Sequence, residues 1–200
     1  MLLFIGMSLP LILFVLATAP TQAEFVVPGR HHGDEVAALD GDRFLALCGG
    51  ELRDVQIRVE SFRDEIVDSP EERTGKEITA PCAAIFLVRG VDRLEPDRIR
   101  TATLSVEKLI QGPGISGPAQ VVLAMGDLRA TVRFEAIAGQ GYRLVLDEGP
   151  RSSTLYETRQ WDGGKWNVVW AGDLDRDGGL DLLITGSAHY NVTVHRLLLS

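Results

Sequence analysis

The sequence predicts an all-β fold, an antiparallel β-sandwich or barrel-like domain. Short apolar runs rich in Val, Ile, Leu, Phe and Thr recur along the chain, each closed by Gly, Pro or Asp. Several alternate with a period of two, the pattern of a strand with one wet face. Turn signals return at intervals of about ten residues, as in all-β sandwiches and barrels. No stretch carries a sustained 3.6-residue apolar stripe with a cap and a stop, and GDEVAALDGD (33–42) is the weak exception.

The chain opens with MLLFIGMSLPLILFVLATAPTQA, which has no charged residue. An apolar run over 2–17 leads into Thr21-Gln22-Ala23, small residues of the kind a signal peptidase reads, so cleavage is expected after Ala23. No Lys or Arg precedes the run, which leaves an uncleaved anchor as the alternative. Pro10 interrupts it, however, and it falls short of the roughly 20 residues that span a bilayer. No cysteine lies nearby, which argues against a lipid anchor. The expected location is secreted or periplasmic, with no membrane span after cleavage.

EFVVPGRHHGDE reads as an irregular opening segment. DRFLALCG (42–49) and DVQIRVESF (54–62) flank a Gly-Gly-Glu turn, and in the second Val55, Ile57, Val59 and Ser61 alternate with polar neighbours. The charged stretch 64–81 reads as a long loop or an exposed hairpin. AAIFLVRG (83–90) and DRIRTATLSVEKL (97–109) continue the strands, and the Gly-rich QGPGISG (111–117) reads as a loop, with no Lys-Ser/Thr to make it a phosphate site. QVVLAMGDLRATVRFEAI (120–137) is the clearest hairpin, because Gly first in a two-residue loop suits a type II′ turn at Gly126-Asp127. YRLVLDEG (142–149), TLYETRQW (154–161) and KWNVVWAG (165–172) follow, the last two separated by the turn residues Asp162-Gly163-Gly164.

The net charge of −8 argues against nucleic acid and anionic membranes as partners, since phosphate binding needs clustered Lys and Arg. It suits a protein that binds cations, and also one that is merely soluble. The two cysteines, Cys48 and Cys82, are expected to form one disulfide, in preference to two buried free thiols. Neither has an activating neighbourhood that would make it a nucleophile.

One loop carries recognisable chemistry. In WAGDLDRDGGLDLLI (170–184), Asp173, Asp175, Asp177 and Asp181 stand at positions one, three, five and nine. Calcium takes about six to eight hard oxygen ligands, and short Asp side chains at odd positions of a curling loop can converge on it. Leu174 and Arg176 would then point away, and Gly178 would permit the sharp turn. An EF-hand needs a bidentate Glu at position twelve and flanking helices, but Ile184 stands there and both flanks are strand-like.

The pattern D-x-D-x-D-G-x-x-D between strands, with Gly172 before it and Asp181-Leu182-Leu183 at its end, resembles the FG-GAP, or integrin-alpha-type, calcium-binding repeat. The resemblance implies Ca2+ held by Asp173, Asp175, Asp177, the carbonyl of Gly179, and Asp181. Such repeats usually form propeller blades, of which about four to eight are needed. This chain shows one copy, since the D-x-D at Asp40 and Asp42 has no third aspartate. The expected organisation is a signal peptide over 1–23, an antiparallel β domain over 24–150, and a calcium-binding hairpin region over 151–200 packed on the same domain.

Trp161, Trp166 and Trp170 cluster just before this loop, with Trp166, Val168 and Trp170 expected on one strand face. Core packing is the plain reading, and a face for a protein or carbohydrate ligand is the functional one. His31-His32 with Asp34 and Glu35 could bind zinc, but adjacent histidines on an extended chain point oppositely, and a solvated segment is preferred. Asn191-Val192-Thr193 is a glycosylation sequon. Ser187 and His189 lack a third partner, and no catalytic constellation stands out. The expected function is therefore a secreted, non-catalytic calcium-binding module for binding or surface interaction. The alternatives are a secreted hydrolase with a site scattered over β-loops, and an inhibitor-type partner protein, calcium being a structural support in both.

Overall fold

The structure, a computed structural model, describes residues 23–33, 35–112, 115–138, 141–159, 164–187 and 193–200. The fold is all-β, with several antiparallel sheets packed as a sandwich-like domain, and no helix occurs among the described residues. The expected cleavage site, the Asp162-Gly163 turn, Trp161, His189 and Asn191 fall wholly or partly outside them.

The first half of the chain forms β1 (Glu24–Val26), β2 (Gly29–His31), β3 (Arg43–Cys48), β4 (Glu51–Gln56), β5 (Arg58–Phe62), β6 (Gly75–Thr79), β7 (Ala84–Arg89) and β8 (Asp97–Arg98). A five-stranded sheet runs β1-β7-β3-β4-β8, and a three-stranded one runs β2-β6-β5. Gly49 and Gly50 both have positive φ, 59° and 84°, which gives the tight primed turn joining β3 to β4. The alternation holds in burial from Asp54 to Glu60 but spans two strands, and it fails at the end, where Ser61 is exposed and Phe62 half-buried. At Ile57 the chain leaves β4, exchanges backbone hydrogen bonds with Gly41 and Asp42, and enters β5 of the other sheet. The charged stretch 64–81 is a structured loop followed by β6, and residues 35–42 form no helix but an irregular segment with a turn at Asp40-Gly41.

The second half forms β9 (Arg100–Thr101), β10 (Thr103–Gly112), β11 (Ile115–Met125), β12 (Leu128–Ile137), β13 (Gly141–Glu148), β14 (Arg151–Thr158), β15 (Gly164–Asp173), β16 (Asp181–Gly186) and β17 (Val194–Leu198). These make a nine-stranded sheet running β14-β13-β12-β11-β15-β16-β17, with β10 on β11 and β9 on β15. All its pairings are antiparallel except a short parallel one, Ile115 and Ser116 with Gly164 and Lys165. The β11–β12 hairpin turns at Gly126 (φ 60°) and Asp127 as expected. The Gly-rich 111–117 is less of a loop than expected, because Gln111 and Gly112 still pair with Ser116 and Ile115. β14 joins the same sheet as β10–β13, so residue 151 marks no structural break, and the sheets divide near residue 99 instead.

Three cores result. One lies within the nine-stranded sheet, around Leu123, Val132, Tyr142, Leu144, Trp166 and Leu182. A second lies between the two N-terminal sheets, around Phe44, Ala46, Ile57, Ile78 and Leu87, and encloses the Cys48–Cys82 disulfide. The third joins the opposite face of the five-stranded sheet, through Leu47, Leu52, Phe86 and Val88, to Trp170, Leu174 and Leu183 of the second half. The hairpin β15–β16 thus has apolar side chains on both faces. At about 1.5–3 kcal/mol for each large side chain buried, the third core contributes substantially to holding the halves together.

A β-bulge explains how β15 serves two cores. The register skips from Val168↔Ile184 to Trp170↔Leu183, leaving Val169 unpaired and 41% exposed. Trp166 and Val168 therefore face the first core, and Trp170 is turned to the third, where it meets Phe86 edge-on at 5.8 Å. The expectation that Trp166, Val168 and Trp170 share one face fails for this reason. Trp166 and Trp170 are each 3% exposed, so neither forms a binding face; both are core residues.

Candidate metal centre

The acidic loop connects β15 to β16 and is closed by the pair Gly172↔Asp181. Gly172 also pairs with Thr101 of β9, and a Cβ there would lie 2.5 Å from the Arg100 carbonyl oxygen. Only glycine lets β9 approach this closely at the mouth of the loop. Asp173 ends β15 and is buried, and Asp175 and Asp177 follow in the bends of the loop. One carboxylate oxygen from each of Asp173, Asp175 and Asp177 lies within 4.8 Å of the others.

The even positions have separate tasks. Leu174 is 1% exposed and packs in the third core. Arg176 adopts φ 62°, a left-handed conformation uncommon outside glycine, and its guanidinium reaches Asp97 at 2.5 Å and Glu95 at 3.4 Å. Gly178 (φ 88°) turns the chain and donates its N–H to Asp173 Oδ1 at 3.2 Å. The loop curls around the carboxylates because each of its turns is an aspartate-to-backbone hydrogen bond, Asp177 Oδ1 accepting from Gly179 N–H at 2.7 Å and Asp175 Oδ1 from Asp177 N–H at 3.3 Å. The Gly179 N–H holds the Asp177 carboxyl below its ordinary range, and Ser200 and the charge of Arg93 act in the same direction.

Asp181 is placed differently. It is fully buried, and its two oxygens accept backbone N–H bonds from Leu174 at 2.6 Å and Ser200 at 2.8 Å. Burial pushes its carboxyl pKa up, against the lowering effect of those two bonds. It stands outside the group of three converging carboxylates.

The Asp175 side chain is 1% exposed. Its Oδ2 accepts no hydrogen bond, although Arg93 Nε lies 2.8 Å away, with its N–H out of line. A buried carboxylate oxygen left without a donor is costly, and a hard cation satisfies it. Three aspartates, a Gly179 carbonyl and water can supply the oxygens that calcium needs, so the residues fit the ion. Arg93, Arg100 (3.9 Å from Asp173 Oδ2), Asp97 and Ser200 also belong to this neighbourhood. Sequence reasoning missed them because fold contacts bring them to the loop, and they carry no local motif.

Other expected sites resolve into structure. Asp40 and Asp42 accept backbone N–H bonds from Val59 and Leu39, and Asp42 also pairs with Arg89. His32 Nδ1 bonds the buried Asp64, while His31 Nε2 bonds the Val27 carbonyl, so the two rings serve different partners and form no shared metal site. No family model matches this chain, and no solved structure matches it.

Proposed function

We propose that this chain is a secreted calcium-binding β-protein of non-catalytic character, serving as a binding or surface-interaction module. One Ca2+ staples the β15–β16 hairpin through an FG-GAP-type loop. The observation that supports this most is the convergence of Asp173, Asp175 and Asp177, one of which, Asp175, has a buried carboxylate oxygen that accepts no hydrogen bond. The ligands are these three side chains and the Gly179 carbonyl, with water completing the shell. Calcium is preferred to magnesium, which demands a tighter octahedron and keeps most of its water. The disulfide between Cys48 and Cys82 suits an oxidising compartment, in agreement with a signal peptide over 1–23.

Calorimetric titration with calcium chloride tests the proposal. One site is expected, with Kd in the range of about 0.1–1 mM typical of extracellular modules. Asp175→Asn is expected to remove the binding heat, and magnesium to bind more weakly. Absence of any calcium-dependent heat in the wild type would refute the reading.

A further inference from the structure

The loop has a cation of its own. Arg93 lies in the segment between β7 and β8, far from the loop in sequence, yet its Nε is 2.8 Å from Asp175 Oδ2. A guanidinium serving only as a structural partner normally aims its N–H fork at the carboxylate, often in a bidentate pair. Here the charges meet while the oxygen receives no hydrogen bond. Arg93 is also 49% exposed, so its head can move into water at little cost, whereas Asp175 cannot move out. Arg176, the adjacent arginine, is engaged by Asp97 and Glu95 instead.

We propose that Arg93 is the resident competitor of calcium: it neutralises Asp175 in the metal-free protein and is displaced when the ion binds. This inference rests on the calcium reading of the loop. A divalent ion seated among three carboxylates repels a guanidinium in contact with one of them, and the two compete for the charge of the same carboxylate. Exchange replaces a single misaligned charge contact with direct coordination. Arg93 thereby sets the affinity of the site. It also links ion binding to the segment carrying Leu94, which is buried in the same core as Leu174.

The test is calcium titration of the full chain as wild type, Arg93→Gln, Arg93→Lys and Arg58→Gln. Arg58 is exposed on the three-stranded sheet and controls for the change in net charge. Arg93→Gln is expected to tighten calcium binding about tenfold, equivalent to 1.4 kcal/mol. Arg93→Lys should stay near wild type, and Arg58→Gln should not change. Binding by the wild type with an unchanged or weaker Kd in Arg93→Gln overturns the competitor role and leaves the calcium site standing. Binding by Arg93→Gln alone supports it, and binding by neither overturns both. A second measurement needs no variant. The Arg93 Nε–H signal in a 15N spectrum should shift at saturating calcium, and an unmoved signal overturns the proposal.

Discussion

Replacing Asp181 by asparagine separates a strut from a ligand. Both Asp181 oxygens accept buried backbone N–H groups, from Leu174 and Ser200. Asparagine keeps one acceptor and turns an NH2 toward the other donor, leaving a buried N–H unsatisfied at a cost of about 1–3 kcal/mol. Neutralisation offsets part of this, because burial already pushes the Asp181 carboxyl toward its neutral form. A net loss of about 1–2 kcal/mol follows, or about 2–8 °C in Tm for a domain of this size. Calcium at ~2 mM with Kd ~0.1 mM should itself add about 1.8 kcal/mol. The assay is thermal unfolding of wild type, Asp181→Asn and Asp175→Asn, each in chelator and in calcium. Asp181→Asn should lose the same amount in both conditions, whereas Asp175→Asn should lose chiefly the calcium increment. If the Asp181→Asn loss is confined to calcium, Asp181 is a ligand and the strut assignment is wrong.

Three further outcomes are expected. Trp170→Ala should cost about 3–5 kcal/mol in urea unfolding, as for a fully packed aromatic, while Val169→Ala should stay near neutral; the reverse order would refute the bulged register. The Asp64 hydrogen bond raises the His32 pKa and His32 lowers that of Asp64, so the clip between them contributes fully between about pH 4 and 6.5. Its His32 part fades as pH rises through the raised imidazole value, so protection from hydrogen exchange over 63–74, relative to the intrinsic rate, should fall through that value, and His32→Gln should abolish the fall. Cys48→Ala/Cys82→Ala should lower stability by up to about 4 kcal/mol by loop-closure entropy, read from chemical denaturation under non-reducing conditions.

What was legible in the sequence is what local chemistry decides. Gly126-Asp127 announced its turn because a two-residue hairpin with positive φ at its first residue needs glycine. The spacing of Asp173, Asp175 and Asp177 announced a convergent cluster because odd positions of a curling loop share one side. The bulge at Val169 was not legible, since Val168-Val169-Trp170 contains no glycine, proline or polar residue to mark it. The change of sheet at Ile57 was hidden for a related reason: the inward-outward alternation runs unbroken across it, so periodicity alone reports one strand. Arg93 was invisible because its relation to Asp175 exists only once the two halves pack.

The even positions of the acidic loop give the site its wider meaning. Leu174 is inserted in the third core and Arg176 is tied to Asp97 and Glu95, so both halves of the molecule grip the loop from its outer side. An ion drawing Asp173, Asp175 and Asp177 together fixes the backbone between them, and hence the positions of Leu174 and Arg176. On the calcium reading, the energy of coordination is therefore delivered to the junction between the sheets as well as to one hairpin. The surface that the ion supports is then set by how the five-stranded and nine-stranded sheets dock.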